Sequence, residues 1–338
     1  MRSVEELESR LSSPRPVLVD DLRRLDGDLL VLGAAGKLGP SLVRLAVHAL
    51  AEAGSGSRVI AVSRFSEPGS ADALRASGAK VVPADITDDE QLDELPDAAN
   101  VVYLVGAKFG SYGDEPTTWA TNTYLPGRVA QRYPDSRIAA LSTGNVYPFW
   151  PTQSAGPTEA DPTDPVGEYA MSCLGRERVL TYHATRNRTP MSLLRLNYAV
   201  EMRYGVLVDI AHAVHRGETI DLTMGYANVI WQGYANEVTL RSLLHADVPP
   251  YVLNLTGDQT ISIRRTAERF GELFGVGVRF SGVEAPTALL SDATNCHRTF
   301  GSPDLELDDL IEATARWIAD GQPLHGKPTK FQSRDGRF

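Results

Sequence analysis

Three glycines lie three residues apart between a run of apolar residues and a helical segment. The stretch is Leu29-Leu-Val-Leu-Gly33-Ala-Ala-Gly36-Lys37-Leu38-Gly39. Glycine lets the backbone turn tightly and approach a pyrophosphate, and the N-terminus of the following helix offers N–H groups and a favourable dipole. The spacing is Gly-x-x-Gly-x-x-Gly, whereas many dinucleotide sites have Gly-x-Gly-x-x-Gly. We predict that Gly33, Gly36, Lys37, Leu38 and Gly39 bind a dinucleotide pyrophosphate; an ordinary glycine-rich turn is the alternative.

The second apolar run ends in Ser63-Arg64. A site that selects NAD usually has an acidic residue there, which binds the ribose hydroxyls. A guanidinium instead suits a 2′-phosphate, through charge-assisted hydrogen bonds. We therefore predict NADP as the preferred cofactor and NAD as the alternative, with Ser63 and Arg64 in the site. A solvated surface role for Arg64 is the competing interpretation.

Short apolar runs alternate with helical segments from residue 28 to about residue 197. This alternation indicates parallel βαβ units, and right-handed crossovers then place helices on both faces of the sheet. We predict an α/β fold with a doubly wound parallel Rossmann sheet over residues 28–197. Residues 1–27 form an N-terminal arm. Residues 198–338 form a smaller substrate lobe and a polar surface tail, with some segments returning to the sheet.

The composition excludes several classes of protein. Of the 338 residues, 33 are Lys or Arg and 43 are Asp or Glu, so the formal net charge is −10. This balance argues against nucleic acid or an anionic membrane as the partner. The longest uncharged run, residues 138–158, contains three prolines and cannot be a membrane span. Two cysteines are too few for a disulfide framework, and the first residues are charged. We expect a soluble, cytoplasmic protein that acts on a small molecule.

Further motifs follow the glycine loop, and together they resemble the extended short-chain dehydrogenase/reductase superfamily, in particular its nucleotide-sugar epimerase/dehydratase branch. The likeness spans roughly residues 28–320. Asp85-Ile86 is similar to the family's adenine-contacting pair, Gly106-Ala107 to its turn beside the cofactor ribose, and Asn122 to its structural asparagine. The resemblance implies that these residues, together with Tyr169 and Asn197, belong to an NAD(P) site.

The resemblance also implies catalytic residues, and one of them is missing. Leu141-Ser-Thr143-Gly-Asn145-Val-Tyr147 resembles the family's serine-rich motif and places Thr143 at the catalytic Ser/Thr position. Tyr169 matches the tyrosine of the family's Tyr-x-x-x-Lys motif, in which the lysine binds the nicotinamide ribose and lowers the pKa of the tyrosine. Here the lysine position is Cys173, a neutral and shorter side chain.

Three interpretations of this departure stay open. Lys108, just after Gly106-Ala107, could supply the missing charge. Another group could handle the proton while the cofactor still binds. Finally, the protein could be an NAD(P)-binding sensor or regulatory protein that catalyses nothing. The first interpretation predicts an NAD(P)-dependent oxidoreductase or epimerase that acts by hydride transfer on a hydroxyl of a sugar, sugar acid or nucleotide-sugar, with Thr143, Tyr169 and Lys108 as catalytic residues.

Candidate substrate contacts follow the sixth strand, where the resembling family begins its substrate lobe. Aromatic faces suit the C–H groups of a sugar ring, and polar tips suit its hydroxyls. We name Asn145, Tyr198, Arg203 and Trp231 as substrate residues, with Glu201, Tyr204 and Gln232 as further candidates. Because the lobe has few cations, an unactivated sugar or sugar acid is as plausible as a nucleotide-sugar.

Two remaining features concern metal ions and assembly. His212 and His215 are three residues apart, but no third ligand follows at metal spacing, and Cys296-His297 is a single adjacent pair. We predict no metal site. The helical segments 117–132 and 169–184 carry apolar residues on more than one face. In the resembling family these helices form a four-helix interface, so we expect a homodimer.

Overall fold

The computed structural model describes residues 1–108, 110 and 112–337. Its strands are β1 (Leu29–Leu32), β2 (Val59–Ser63), β3 (Lys80–Pro83), β4 (Asn100–Tyr103), β5 (Arg137–Thr143), β6 (Trp150–Pro151), β7 (Met191–Leu196), β8 (Ala199–Val200), β9 (Thr219–Asp221), β10 (Tyr226–Asn228), β11 (Ile230–Trp231), β12 (Tyr251–Leu255), β13 (Thr260–Ser262), β14 (Arg279–Ser281) and β15 (Thr287–Ala288). Its α-helices are α1 (Val4–Ser12), α2 (Pro16–Arg23), α3 (Gly39–Glu52), α4 (Ser70–Ala76), α5 (Asp89–Asp93), α6 (Glu115–Trp119), α7 (Leu125–Arg132), α8 (Glu168–Asn187), α9 (Val206–His215), α10 (Gln232–Arg241), α11 (Ile263–Phe274), α12 (Thr294–Phe300) and α13 (Leu307–Ala319). A π-helix spans Ala120–Tyr124, and 3₁₀-helices span Gly144–Val146 and Ser242–His245.

In the described chain, the central sheet has seven strands in the order β12-β7-β5-β4-β1-β2-β3. Each neighbouring pair is parallel. The predicted doubly wound parallel α/β fold is therefore confirmed. The strand order reverses between β1 and β4, and ligands bind at such a switch point, beside the carboxyl ends of the strands.

The side chains of β1 point alternately to the two faces of the sheet, and this explains why such short apolar runs form strands. Leu29 and Val31 pack into one core, which includes residues of α3, while Leu30 and Leu32 pack into a second core on the other face. All four side chains are buried, as expected for a parallel strand with helices on both faces.

Residues outside the predicted sheet region complete the fold. The strand-like piece of the C-terminal lobe at β12 joins the central sheet by pairing with β7. The N-terminal segment forms α1 and α2, and the side chains of Leu7 and Leu11 are fully buried in the core of the C-terminal lobe. Across the described residues, we find no helix with the length and apolar character needed to span a bilayer.

The segment predicted as one helix over residues 117–132 is divided in two by the π-helix. Leu125 N–H donates to Ala120 O, a bond over five residues. Pro126 has no N–H and cannot bond to Asn122 O in the usual α-helical pattern. The Asn122 carbonyl instead accepts a hydrogen bond from Arg176 Nε at 3.1 Å. Such bulges are frequent at functional sites.

Candidate active site

The glycine loop connects β1 to α3 at the switch point. Gly33 has φ +89°, and a Cβ there would lie 3.0 Å from Val105 Cγ2. A Cβ on Gly39 would collide with the carbonyl oxygens of Gly33 and Ala34, so the helix can begin this close to the loop only with glycine. Leu38, the N-cap of α3, has no side-chain acceptor for the first N–H groups of the helix. Gly39 N–H already donates to Gly36 O at 3.2 Å and Pro40 has no N–H, so the positive end of the α3 dipole and the close approach of the glycine backbone are what would favour a pyrophosphate here.

A cleft of about 600 Å³ extends from the loop along the carboxyl ends of β2, β3 and β4. Its lining includes predicted cofactor residues from all three strand ends: Gly33, Gly36, Ser63, Arg64, Asp85, Ile86, Gly106 and Ala107. Asn122 does not line this cleft. Its side chain accepts from Ala107 N–H and donates to Ala107 O, both at 2.8 Å, and so supports the turn that does. The residues present therefore fit the adenosine half of a dinucleotide, with Asn122 fixing the turn.

Arg64 lies on the rim of this cleft. Its side chain is 72% exposed, and its nearest carboxylate oxygen is Asp85 Oδ2 at 3.9 Å. An ion pair this long and exposed contributes little, so the guanidinium can move toward a phosphate. Glu67, which the sequence analysis did not consider, also lines the cleft.

A smaller cleft of about 280 Å³ is lined by the glycine loop, including Lys37, Leu38 and Gly39, and by Tyr169. Beyond it lies a chamber of about 150 Å³. Thr143, at the end of β5, and Tyr169, in the first turn of α8, line this chamber and form a hydrogen bond through their side chains. Burial raises the pKa of Tyr169, and the neighbouring Cys173 raises it further, while the bond to Thr143 lowers it.

Lys108 lies beside Tyr169 in the same chamber. Its Nζ is 5.8 Å from the centre of the Tyr169 ring, and burial lowers the pKa of Lys108 to about 8. Cys173 is 1% exposed and packs with Val146 and Tyr147, and burial raises the pKa of its thiol. The structure thus brings Lys108, Thr143 and Tyr169 together, and the buried, neutral Cys173 packs beside Tyr169 and forms a side-chain hydrogen bond with it.

The order of strands, loop and site matches a known family. The model of the NAD dependent epimerase/dehydratase family matches residues 29–224. The chain belongs to this family. No curated protein matches the chain.

Solved structures of similar fold come from several bacteria. UDP-glucuronic acid 4-epimerase from Bacillus cereus, in complex with UDP-glucuronic acid and NAD, is 16% identical with a TM-score of 0.70, covering 86% of this chain and 99% of its own. UDP-glucose 4-epimerase from Thermotoga maritima, with UDP-glucose, is 17% identical with a TM-score of 0.68, covering 87% and 99%. dTDP-glucose 4,6-dehydratase from Bacillus anthracis, in complex with NAD, is 16% identical with a TM-score of 0.71, covering 87% and 97%. At these identities the likeness establishes the fold.

Arg176 is a cation of the site that the sequence analysis missed. It lies seven residues after Tyr169 on α8 and is 5% exposed. Its guanidinium donates to Leu141 O at 2.6 Å and to Asn122 Oδ1 at 2.9 Å, and it lines the cleft between the glycine loop and Tyr169. Its charge lowers the pKa of both Tyr169 and Cys173. In this member of the epimerase/dehydratase family, Arg176 lies one helical turn beyond the position where the resembling enzymes have lysine.

A buried ion pair joins β7 to α8, and a hydrogen bond from Ser142 joins β5 to the same carboxylate, next to Thr143 and Tyr169. Glu177 accepts from Arg195 Nη2 at 2.8 Å and from Ser142 Oγ at 2.6 Å. Arg195 also donates to Tyr147 Oη at 2.6 Å. Because Ser142 precedes Thr143 and Glu177 shares a helix with Tyr169, this network fixes the distance between the two hydroxyls.

The predicted substrate residues divide into three groups. Asn145 and Tyr198 line the chamber, together with Tyr204 and with Asn197, which was predicted as a cofactor residue. Tyr198 has φ +36°, a backbone conformation that a bulky residue rarely adopts and that is found preferentially at functional sites. Arg203 lies in an adjoining outer groove, where Glu8 and Glu201 neutralise its charge.

The structure does not bring the third group to the chamber. Trp231 is 1% exposed and packs in the core of the C-terminal lobe, and Gln232 is buried and donates to Ser41 Oγ at 3.0 Å. Both follow an apolar run, and there the sequence could not separate a core aromatic from a sugar-binding one. In the described residues, no cluster of His, Cys, Asp and Glu could hold a metal ion.

The C-terminal tail lies over the chamber and not freely on the surface. Thr329 donates through its N–H and hydroxyl to Asp209 Oδ2, at 2.8 and 2.6 Å, and accepts from Lys108 Nζ at 3.5 Å. Phe331 is 7% exposed. Gly336 is packed so closely on Gly167, the N-cap of α8, that a Cβ on it would lie 2.7 Å from the Gly167 Cα. Thr329 therefore lines the chamber, and we refer to residues 329–336 as the strap.

Proposed function

We propose that this protein is an NAD(P)-dependent enzyme that interconverts a hydroxyl and a carbonyl group on a carbohydrate. The observation that carries the proposal is the hydrogen bond between the Thr143 and Tyr169 side chains, beside the Lys108 ammonium, in a chamber that adjoins the glycine-loop cleft. A phenol, a hydroxyl and a cation at the end of a dinucleotide cleft form an acid–base system for an alcohol. The family membership supports the same class of reaction.

The proposed roles follow from the contacts. The Thr143 hydroxyl orients the substrate hydroxyl toward Tyr169. The Tyr169 phenolate accepts the proton as the substrate O–H bond breaks, and the substrate oxygen forms a C=O bond. A bound nicotinamide would accept the hydride from the same carbon and could return it to either face. Lys108 and Arg176 stabilise the phenolate electrostatically, while Asn145 and Tyr198 surround the substrate ring.

We further propose NADP as the preferred cofactor. Arg64 occupies the rim position beside the cleft, and among the described residues its nearest carboxylate, that of Asp85, is 3.9 Å away. The nearby carboxylates of Asp85 and Glu67 oppose a 2′-phosphate, so the preference depends on the Arg64 contact.

The test of the proposed function is Tyr169→Phe, followed by nicotinamide absorbance with a panel of sugars and sugar acids. If the phenol transfers the proton, the rate should fall by about 10²–10⁴-fold while cofactor binding persists. Tyr182→Phe is the matched control, because Tyr182 lies on the same helix and is 55% exposed. A Tyr169→Phe protein with full activity would refute the proposed acid–base role. Cofactor binding without turnover of any member of the panel would favour the sensor.

A further inference from the structure

Lys37 belongs to the glycine loop, but its ammonium contacts the substrate lobe. Its Nζ donates to Ala199 O at 3.0 Å and lies 3.2 Å from the centre of the Tyr204 ring. Ala199 is in β8 and Tyr204 precedes α9, so both follow the last of the Rossmann strands that precede the lobe. The side chain of Lys37 is exposed at the cleft, and these two contacts hold its ammonium against the lobe. Desolvation at the lobe lowers the pKa of Lys37 to about 7, the Glu201 carboxylate opposes this shift, and the Lys108 charge adds to it.

Lys37 and Lys108 line the same chamber of about 150 Å³. Two carboxylates act on Lys37 from α9 and the preceding loop, and both are engaged elsewhere. Asp209 accepts two hydrogen bonds from Thr329, and Glu201 pairs with Arg203. The charged and titratable groups that face the two lysines are Glu201, Asp209, Lys330 and Cys173, with Tyr169, Tyr198 and Tyr204 as aromatic walls. The immediate wall of the chamber therefore has an excess of positive charge, which one carboxylate of a ligand would balance.

The adjoining outer groove, of about 540 Å³, has the opposite character. Asp209, Glu218 and Asp221 line it, and its basic side chains are His212, Lys327 and the already neutralised Arg203. A diphosphate carries two negative charges and is bound by Arg and Lys side chains. The outer groove is therefore a poor site for the diphosphate of a nucleotide-sugar.

We infer that the substrate is a small sugar acid without a nucleotide, and that Lys37 binds its carboxylate in the chamber. This inference rests on the proposed function for the reaction at the hydroxyl, and it assigns Lys37 to the substrate in place of the cofactor pyrophosphate predicted from the sequence. Tyr204, which lines both the chamber and the outer groove, marks the path by which a small acid would enter.

The experiment measures binding by isothermal titration calorimetry to the NADP-loaded protein. The probes are D-glucuronate and D-galacturonate, their neutral counterparts D-glucose and D-galactose, and UDP-glucose. The variants are Lys37→Met, Lys37→Arg and, as a matched control from the outer groove, Lys327→Met. The uronates should bind at least about tenfold more tightly than the hexoses, the value of a charge-assisted contact. Lys37→Met should abolish this preference without weakening NADP, whereas Lys37→Arg should retain part of it and Lys327→Met all of it.

The pH dependence has a definite sign. The charged forms of Lys37 and Lys108 both favour a carboxylate in the chamber, so uronate affinity should fall as the pH rises from 6 to about 9, and Lys37→Met should remove the part of this fall that belongs to Lys37. Hexose affinity should stay flat over that range, which separates the effect of Lys37 from a general loss of the site.

Several results would overturn the inference. These are equal binding of uronates and hexoses, tighter binding of UDP-glucose, binding of none of the probes, or a Lys37→Met protein that loses NADP affinity and keeps uronate affinity. Turnover, read separately from nicotinamide absorbance, distinguishes the two proposals. Oxidation of neutral hexoses only would support the proposed function and refute the sugar-acid inference. Binding of uronates without turnover would support the sugar-acid inference and refute the proposed function.

Discussion

Replacing Lys108 with methionine should move the pH dependence of turnover, and the structure sets the size of the shift. The Lys108 Nζ lies 5.8 Å from the centre of the Tyr169 ring. With the phenolate charge placed at the ring centre, a unit charge about 6 Å away, at an effective dielectric constant of about 20, contributes about 3 kcal/mol, or about two pKa units. The charge of Arg176 lowers the pKa of Tyr169. We propose that a protonated Lys108 acts in the same direction, so that its removal should raise the pKa of Tyr169. In alcohol oxidation the rate rises with the fraction of Tyr169 that is phenolate. The acid limb of the pH–rate profile should therefore move up by about two pH units in Lys108→Met, and the rate at neutral pH should fall by about 10²-fold.

The assay is the pH–rate profile of sugar oxidation, followed by nicotinamide absorbance. Lys108→Arg should keep the limb near its original position, since the charge is retained. Lys80→Met, on the exposed edge strand β3, removes a lysine away from the chamber and should leave the profile unchanged. An unshifted acid limb in active Lys108→Met protein would refute the electrostatic role and transfer it to Arg176, whose charge also acts on Tyr169.

Three further predictions test the cofactor, the thiol and the assembly. Arg64→Ala should erase a preference for NADP over NAD of about tenfold or more; equal affinities in the unmodified protein, measured by calorimetry, would contradict the assignment. Cys173→Ala should change the rate little, because one small neutral side chain replaces another, and loss of activity there alone would point to a thiol mechanism. We also propose a homodimer through α8, where Met171 and Tyr182 are 36% and 55% exposed. The double substitution of both with Glu should give monomers in sedimentation velocity, and an unmodified protein that sediments as a monomer at micromolar concentration would exclude the dimer.

The sequence predicted the sheet well because a buried parallel strand leaves a distinct pattern. The run Leu29–Leu32 must be apolar on both faces, and Gly33 must follow where φ is positive. The division of the helix at residues 120–124 was missed, because its cause is tertiary. Pro126 alone is compatible with a simple kink, and only the contact of Arg176 with Asn122 shows where the released carbonyl is satisfied.

The site was predicted less completely than the fold, for a similar reason. The order of the motifs predicted that Thr143 and Tyr169 lie in one site. It could not show that the long side chain of Lys37 extends to the lobe, or that Trp231 belongs to the core. Arg176 carries no motif signal, although its seven-residue spacing from Tyr169 on one helix could have indicated a shared face. Strand ends fix backbone positions, whereas side-chain directions depend on neighbours distant in the chain.

Access to the chamber past the strap would require a second arrangement of the chain, in which the Thr329 bonds to Asp209 are open. A ligand too large to pass beside Thr329 must wait for its bonds to Asp209 to open, so only the open fraction is competent to bind. If the closed arrangement were favoured about 100 to 1, the apparent affinity for such a ligand would fall by about the same factor. Conversely, a small ligand enclosed by the strap would dissociate no faster than the strap opens. One pair of hydrogen bonds at Thr329 thereby couples ligand size to residence time.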